Sequence, residues 1–167
     1  MTAVESVLRK HPDVIDVAST VVDGPPARRV VAVTARVHCA PIDLRDHVWD
    51  TVCEPDLPDV LVVLPRLPRA DDGVPLINWD AVATGEGCSF VPLETPTEQA
   101  IGDIWSEVLG RTYISAEDDV RSLGGDSTTA TLLLDLTNDR LGTALTAEDL
   151  PAVGSLRELA RAVDARR

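Results

Sequence analysis

Lysine is almost missing from this chain. Lys10 is the only one among the 15 basic residues, and the other 14 are Arg. A task that needs a mobile ammonium elsewhere in the sequence therefore has no residue to perform it. Aromatic residues make up only 3%, with one Phe, one Tyr and three Trp, so any core must be aliphatic. There are three cysteines, Cys39, Cys53 and Cys88, and no CxxC or Cys/His spacing of the kind that marks a metal centre. Reduced, buried thiols of a cytoplasmic protein are expected, and no metal. No run approaches the roughly 18 apolar residues of a membrane span, and MTAVESVLRKHPDV holds no apolar stretch of signal-peptide length. Positive charge is in deficit. Against 28 acidic residues the net charge is −13, and the pI is about 4.4. Nucleic acid and anionic membrane are excluded as main partners, because both repel such a surface. A protein with a basic face is not excluded.

Hydrophobic residues reach 44% of the 167 and mean hydropathy is +0.05, enough for one ordinary domain or two small ones. Charge does not divide the chain, but pattern does. Val4, Val7 and Leu8 fall at helical spacing before Pro12. Val14 to Val22 and Val30 to Val37 are β-branched runs around Asp23-Gly24-Pro25-Pro26, which predicts a hairpin with a long loop. Asp43 is placed to cap a helix through Thr51, and Val60 to Leu64 reads as a short buried strand. A last helical turn or two is expected over Ile77 to Val82. The expected fold is an α+β small lobe, α-β-β-α-β, over residues 1–84, then a linker over 85–93 and an all-α bundle over 94–167. In the second half, Thr95-Pro96-Thr97-Glu98 precedes Ile101, Ile104, Trp105, Val108 and Leu109 at i, i+3, i+4, i+7, i+8, and Gly110 ends the run. Helices are expected over Ser127 to Leu141 and Ser155 to Ala165, with a turn at Ala147 to Leu150.

The most informative segment is Leu123-Gly124-Gly125-Asp126-Ser127. Two glycines permit a tight turn, Asp126 or Ser127 can cap the helix that follows, and Ser127 is left at a helix start whose free N–H groups favour an attached phosphate. With Ile104-Trp105 and Val108-Leu109-Gly110 upstream and Ala130, Leu133 and Leu134 downstream, residues 95–166 resemble the peptidyl carrier domain of nonribosomal peptide synthetases. The resemblance implies that Ser127 receives 4′-phosphopantetheine from a separate transferase, and that the arm carries an aminoacyl or peptidyl thioester. Val120 stands where that family usually has Phe, so looser packing of the loop is expected there.

Residues 3–82 resemble the C-terminal subdomain of an adenylation domain, through Val4-Glu5, Val7-Leu8, His11-Pro12-Asp13-Val14, Leu44-Arg45, Pro58, Val62-Val63-Leu64 and Leu67-Pro68. In that family the lobe closes over a large ATP-binding core and carries a lysine in an Asn-Gly-Lys segment. Here the matching segment reads Asp71-Asp72-Gly73-Val74. Valine neither donates a hydrogen bond nor holds charge, so the lobe is expected to be degenerate and the chain to be no enzyme.

Other residues carry less. His38 and Cys39 are adjacent on an expected strand, so they face opposite ways. His47 reads as a solvated helix residue, Glu117-Asp118-Asp119 as a solvated acidic loop, and Trp49 and Trp79 as packing residues. Leu132 and Leu136 lie one turn apart on the flank of their helix, either buried against residues 111–122 or exposed as an apolar docking patch. The docking reading places Thr128, Leu132, Asp118 and Asp119 on a face used by a loading adenylation enzyme acting in trans and by condensation or tailoring enzymes. Two alternatives stay open. One is the C-terminal half of a split adenylating enzyme; the other is a scaffold whose Ser127 is never modified.

Overall fold

The computed structural model describes residues 2–37, 39–53, 56–84, 88–89, 91–149 and 154–167. The chain divides into two compact units, Met1–Ser89 and Phe90–Arg167.

The first unit opens with α1 (Ala3–Leu8), started by a reciprocal cap between Thr2 and Glu5. Strands β1 (Val14–Val22) and β2 (Arg28–Ala35) form the expected antiparallel hairpin, from Val14 opposite Ala35 to Val22 opposite Arg28. Helix α2 (Pro41–Thr51) then returns the chain so that β3 (Val60–Val63) lies parallel to β2. Alternation along the strands sorts side chains onto two faces. Val31, Val33 and Leu61 pack with Val4, Leu8, Leu44 and Val48, while Val30 and Val60 pack with Ala83 and Trp79. Each fully buried Val or Leu contributes about 1.5–3 kcal/mol, which is how so aliphatic a core suffices.

Three expectations need correction. The order is α-β-β-α-β-α-β: α3 (Trp79–Thr84) stands where a last helical turn is expected, and β4 (Cys88–Ser89), which is not expected, follows it. Strand β4 lies inside the stretch expected to be linker; it exists because the edge of β3 is open to pairing at Val60 and Leu61. Helix α2 begins at Pro41 rather than after Asp43, with no side-chain cap, since Pro at the first helical position is already shaped for it. And β2 stops at Ala35, so Cys39 lies before α2 and not on a strand. His38 lies outside the described residues.

The loop after β3 is tied back to β1 by Arg69, whose Nε and Nη2 each donate to the Asp16 carboxylate at 2.9 Å. The Arg69 hydrogen bond outweighs burial and holds the Asp16 carboxyl below its usual range. Beyond it the chain turns tightly at Gly73 (φ 84°), and Val74 stands 55% exposed at the tip.

Among its described residues the second unit has three helices, α4 (Pro96–Leu109), α5 (Ser127–Leu141) and α6 (Leu156–Ala165), with α4 packed on both others. Ile101, Ile104 and Trp105 form the buried stripe of α4, and Gly110 ends the helix in the left-handed conformation. The turn at Ala147 and Glu148 is present, with Asp149 accepting from Thr146 N at 2.8 Å; Leu150 lies outside the described residues. Between α4 and α6 lies a nearly buried ion pair, Arg157 Nε to Glu98 Oε1 at 2.8 Å. Burial pushes the Glu98 carboxyl up, but Arg157 and the N–H groups of Glu94 and Thr95 outweigh it and hold it below the usual range.

Candidate functional site

The turn that starts α5 is built from close contacts. Gly124 has φ 90°, a conformation that disfavours a side chain. Gly125 is required for a different reason. A Cβ there would lie 2.5 Å from Val120 Cγ1 and 2.9 Å from the Val120 carbonyl oxygen, and the latter is backbone that cannot easily move. Gly125 N donates to that same carbonyl at 2.8 Å and Gly124 N to Arg121 O at 2.9 Å, which closes the turn.

Asp126 is the cap. Its Oδ1 accepts from Thr129 N at 2.8 Å and from Thr129 Oγ1 at 2.9 Å. These bonds to the backbone and side chain of Thr129 hold the carboxyl below its usual range, so the cap is charged at neutral pH. Capping by Asp126 leaves Ser127 as the first helical residue, exposed to solvent. A cleft of about 480 Å³ opens beside it, lined among others by Trp105, Val120, Ala130, Leu134 and Leu159. The short side chain of Val120 is one of its walls. Trp105 is 1% exposed, and its indole N–H has no hydrogen-bond partner among the described residues.

Leu132 is 48% exposed, and Thr128 is exposed one residue past Ser127. Asp119 is half-buried and folds its carboxylate onto Arg121 N and Ser122 N at 2.8 and 2.9 Å. Asp118 corrects the expectation of an acidic surface loop. It is 6% exposed, its carboxylate accepts from Ser115 N at 2.8 Å, and its carbonyl accepts from Leu156 N at 2.9 Å. It therefore fastens the loop to the start of α6 and presents no charge to a partner. Sequence reading locates Gly124, Gly125, Asp126 and Ser127 because they are contiguous. It misses the Val120 contact under Gly125 and the Arg157–Glu98 pair, which join distant positions; the reciprocal caps at Thr95/Glu98 and Ser155/Glu158 are the only local trace of the latter.

A small helical unit that presents one exposed serine on a double-glycine turn at a helix start is the architecture of a carrier-type domain. Residues 99–163 match the family described as "Phosphopantetheine attachment site". The exposed Ser127 hydroxyl and the open cleft beside it fit the attachment of such a group. Similarity to curated proteins extends across both units. The chain is 30% identical over 165 residues to a Salinispora arenicola protein named a "probable non-canonical nonribosomal peptide synthetase", covering 96% of this chain and 2% of that one. It is 30% identical over 171 residues to chondramide synthase cmdD of Chondromyces crocatus, covering 96% and 4%. Against the dimodular nonribosomal peptide synthase of Bacillus subtilis it is 27% identical over 167 residues, covering 93% and 7%. The chain thus spans only a few per cent of the length of these relatives. Among the described residues no helix is long and apolar enough to cross a membrane.

Proposed function

We propose that the chain is a cytoplasmic carrier in nonribosomal peptide biosynthesis, with 4′-phosphopantetheine attached to Ser127 Oγ. The observation that carries this reading is the position of Ser127, exposed one residue after its own cap inside the matched segment. When attached, the arm supplies a thiol on a long tether that holds acyl groups as thioesters. The chain's own residues do the presenting. Gly124 and Gly125 shape the turn, Asp126 fixes the first turn of α5, and the Ser127 hydroxyl is left free of capping duty. The partners are a phosphopantetheinyl transferase, an adenylation enzyme that loads the thiol in trans, and condensation or tailoring enzymes that unload it. They approach the end of α5, where Thr128 and Leu132 are exposed, with Glu117 in place of Asp118 as the acidic neighbour.

The N-terminal unit is, in this reading, an adenylation-type lobe kept for structure or recruitment. Its support is Val74 at an exposed loop tip where a lysine would be needed, and no other lysine after Lys10. The purified chain should form no aminoacyl adenylate from ATP and amino acid, with or without Val74→Lys. Treatment with a broad transferase and coenzyme A should add the mass of one arm. A protein that refuses the arm is a scaffold; amino-acid-dependent ATP–pyrophosphate exchange on adding a core in trans restores the split-enzyme alternative.

A further inference from the structure

The turn after α1 and the segment before α2 bring three metal-ligating side chains together. A nitrogen of His11, a carboxylate oxygen of Asp13 and Sγ of Cys39 all lie within 4.8 Å of one another, and all three residues are half-buried. Backbone hydrogen bonds hold the two segments in this register. Val14 N donates to His11 O at 3.1 Å, Arg36 N to Asp13 O at 2.9 Å and Cys39 N to Arg36 O at 3.0 Å. The His11 ring is held as well. Its Nδ1 accepts from Asp13 N at 3.2 Å, and the His47 ring of α2 meets it edge-on at 5.0 Å between centroids. Nothing in the carrier reading uses these residues.

We propose that His11, Asp13 and Cys39 form a binding site for a divalent transition-metal ion of the zinc type, with a fourth position for water. One nitrogen, one oxygen and one sulfur is a donor set that Zn²⁺ and Co²⁺ accept and that Mg²⁺ and Ca²⁺, which take oxygen, do not. Bond lengths of about 2.0–2.3 Å place neighbouring ligand atoms of a tetrahedral site roughly 3.3–3.7 Å apart. Contraction from 4.8 Å or less is within the reach of side-chain rotation. Nδ1 already accepts from Asp13 N at 3.2 Å, so a metal bond at that nitrogen would replace this long hydrogen bond, whereas one at Nε2 would leave it in place. The Cys39 thiol proton passes to solvent as the sulfur–metal bond forms. Thiolate and carboxylate then neutralise both charges of the ion.

The test titrates the reduced full chain with Co²⁺ and follows thiolate-to-cobalt charge-transfer absorption, then displaces it with Zn²⁺. One equivalent should bind saturably. The absorption should persist in the Cys53→Ser/Cys88→Ser double variant and be absent in Cys39→Ser. Binding should weaken at least tenfold in His11→Ala and in Asp13→Asn, and Zn²⁺ should raise the Tm of wild type but not of Cys39→Ser. If Cys39→Ser does not fold, Cys39→Ala replaces it, and circular dichroism verifies each variant. No saturable binding to folded wild type, or absorption that survives loss of the Cys39 thiol, overturns the site. Loading at Ser127 is read separately by mass, so failure of one proposal is distinguishable from failure of the other.

Discussion

In the C-terminal unit the bonds that shape the turn at Ser127 lie between Val120 and Thr129, and the turn, the crowded glycine and the cap are all local. In the N-terminal unit the comparable concentration of reactive groups comes from the α1–β1 turn, the approach to α2 and α2 itself. Those segments meet only because a sheet and two helices have assembled. A site of the first kind tolerates change in the rest of its unit as long as its own few residues persist. A site of the second kind depends on the core beneath it. The same contrast holds for charge. Asp126 does its work exposed, as a cap, whereas Glu98 and Arg157 act nearly buried, linking helices 59 positions apart in sequence.

The sharpest way to break this contrast is to empty a core position of the helical unit. Ile104→Ala should cost about 2–5 kcal/mol, read as a large fall in denaturant midpoint followed by Trp105 fluorescence. Arm addition to whatever remains folded should proceed, because the α5 turn is untouched; loss of addition in the folded fraction would show that the site is not local. Next comes Gly125→Ala, which forces the Val120 backbone aside. About 1–3 kcal/mol of stability should be lost, and arm addition should slow well beyond what the melt explains. An unchanged transferase rate would contradict the tight-turn account.

A smaller effect is expected from acid. The folded-state carboxyl of Glu98 titrates below its unfolded value of about 4.3, so its contribution is fully present above that pH. It is lost as pH falls through the lowered folded value. Glu98→Gln should therefore cost stability at pH 7 and flatten the dependence of the melt on pH below about 4.3. Parallel curves for the two proteins would remove the ion pair from the account. The smallest effect on folding belongs to Leu132→Ala. Being 48% exposed, Leu132 should leave the melt nearly unchanged. It should raise the apparent KM of a loading enzyme by about tenfold if a contact worth roughly 1–2 kcal/mol is lost. A melt that falls as far as that of Ile104→Ala would return Leu132 to the core.

What the sequence disclosed follows the same division. The stripe Ile101, Ile104, Trp105 and the cap at Thr95 are local patterns that appear where the spacing predicts them; of the two caps expected for α5 it is Asp126, and Ser155, expected as the first residue of the last helix, is its cap. The β1–β2 hairpin is legible for the same reason. Strand β4 is not, since two residues carry no periodicity and the strand exists only by pairing with β3. Asp118 misled because a run of three acids looks solvated, yet its carboxylate finds Ser115 N and its carbonyl finds α6. His11, Asp13 and Cys39 showed no metal spacing because their proximity is created by tertiary structure, not by sequence interval.

The central claim is that Ser127, and no other residue, receives the arm. Intact-protein mass after incubation with a broad phosphopantetheinyl transferase and coenzyme A tests it directly. Wild type should gain the mass of a single arm, and Ser127→Ala, shown folded by its melt, should gain none. An arm on Ser127→Ala, or none on wild type, would contradict the account.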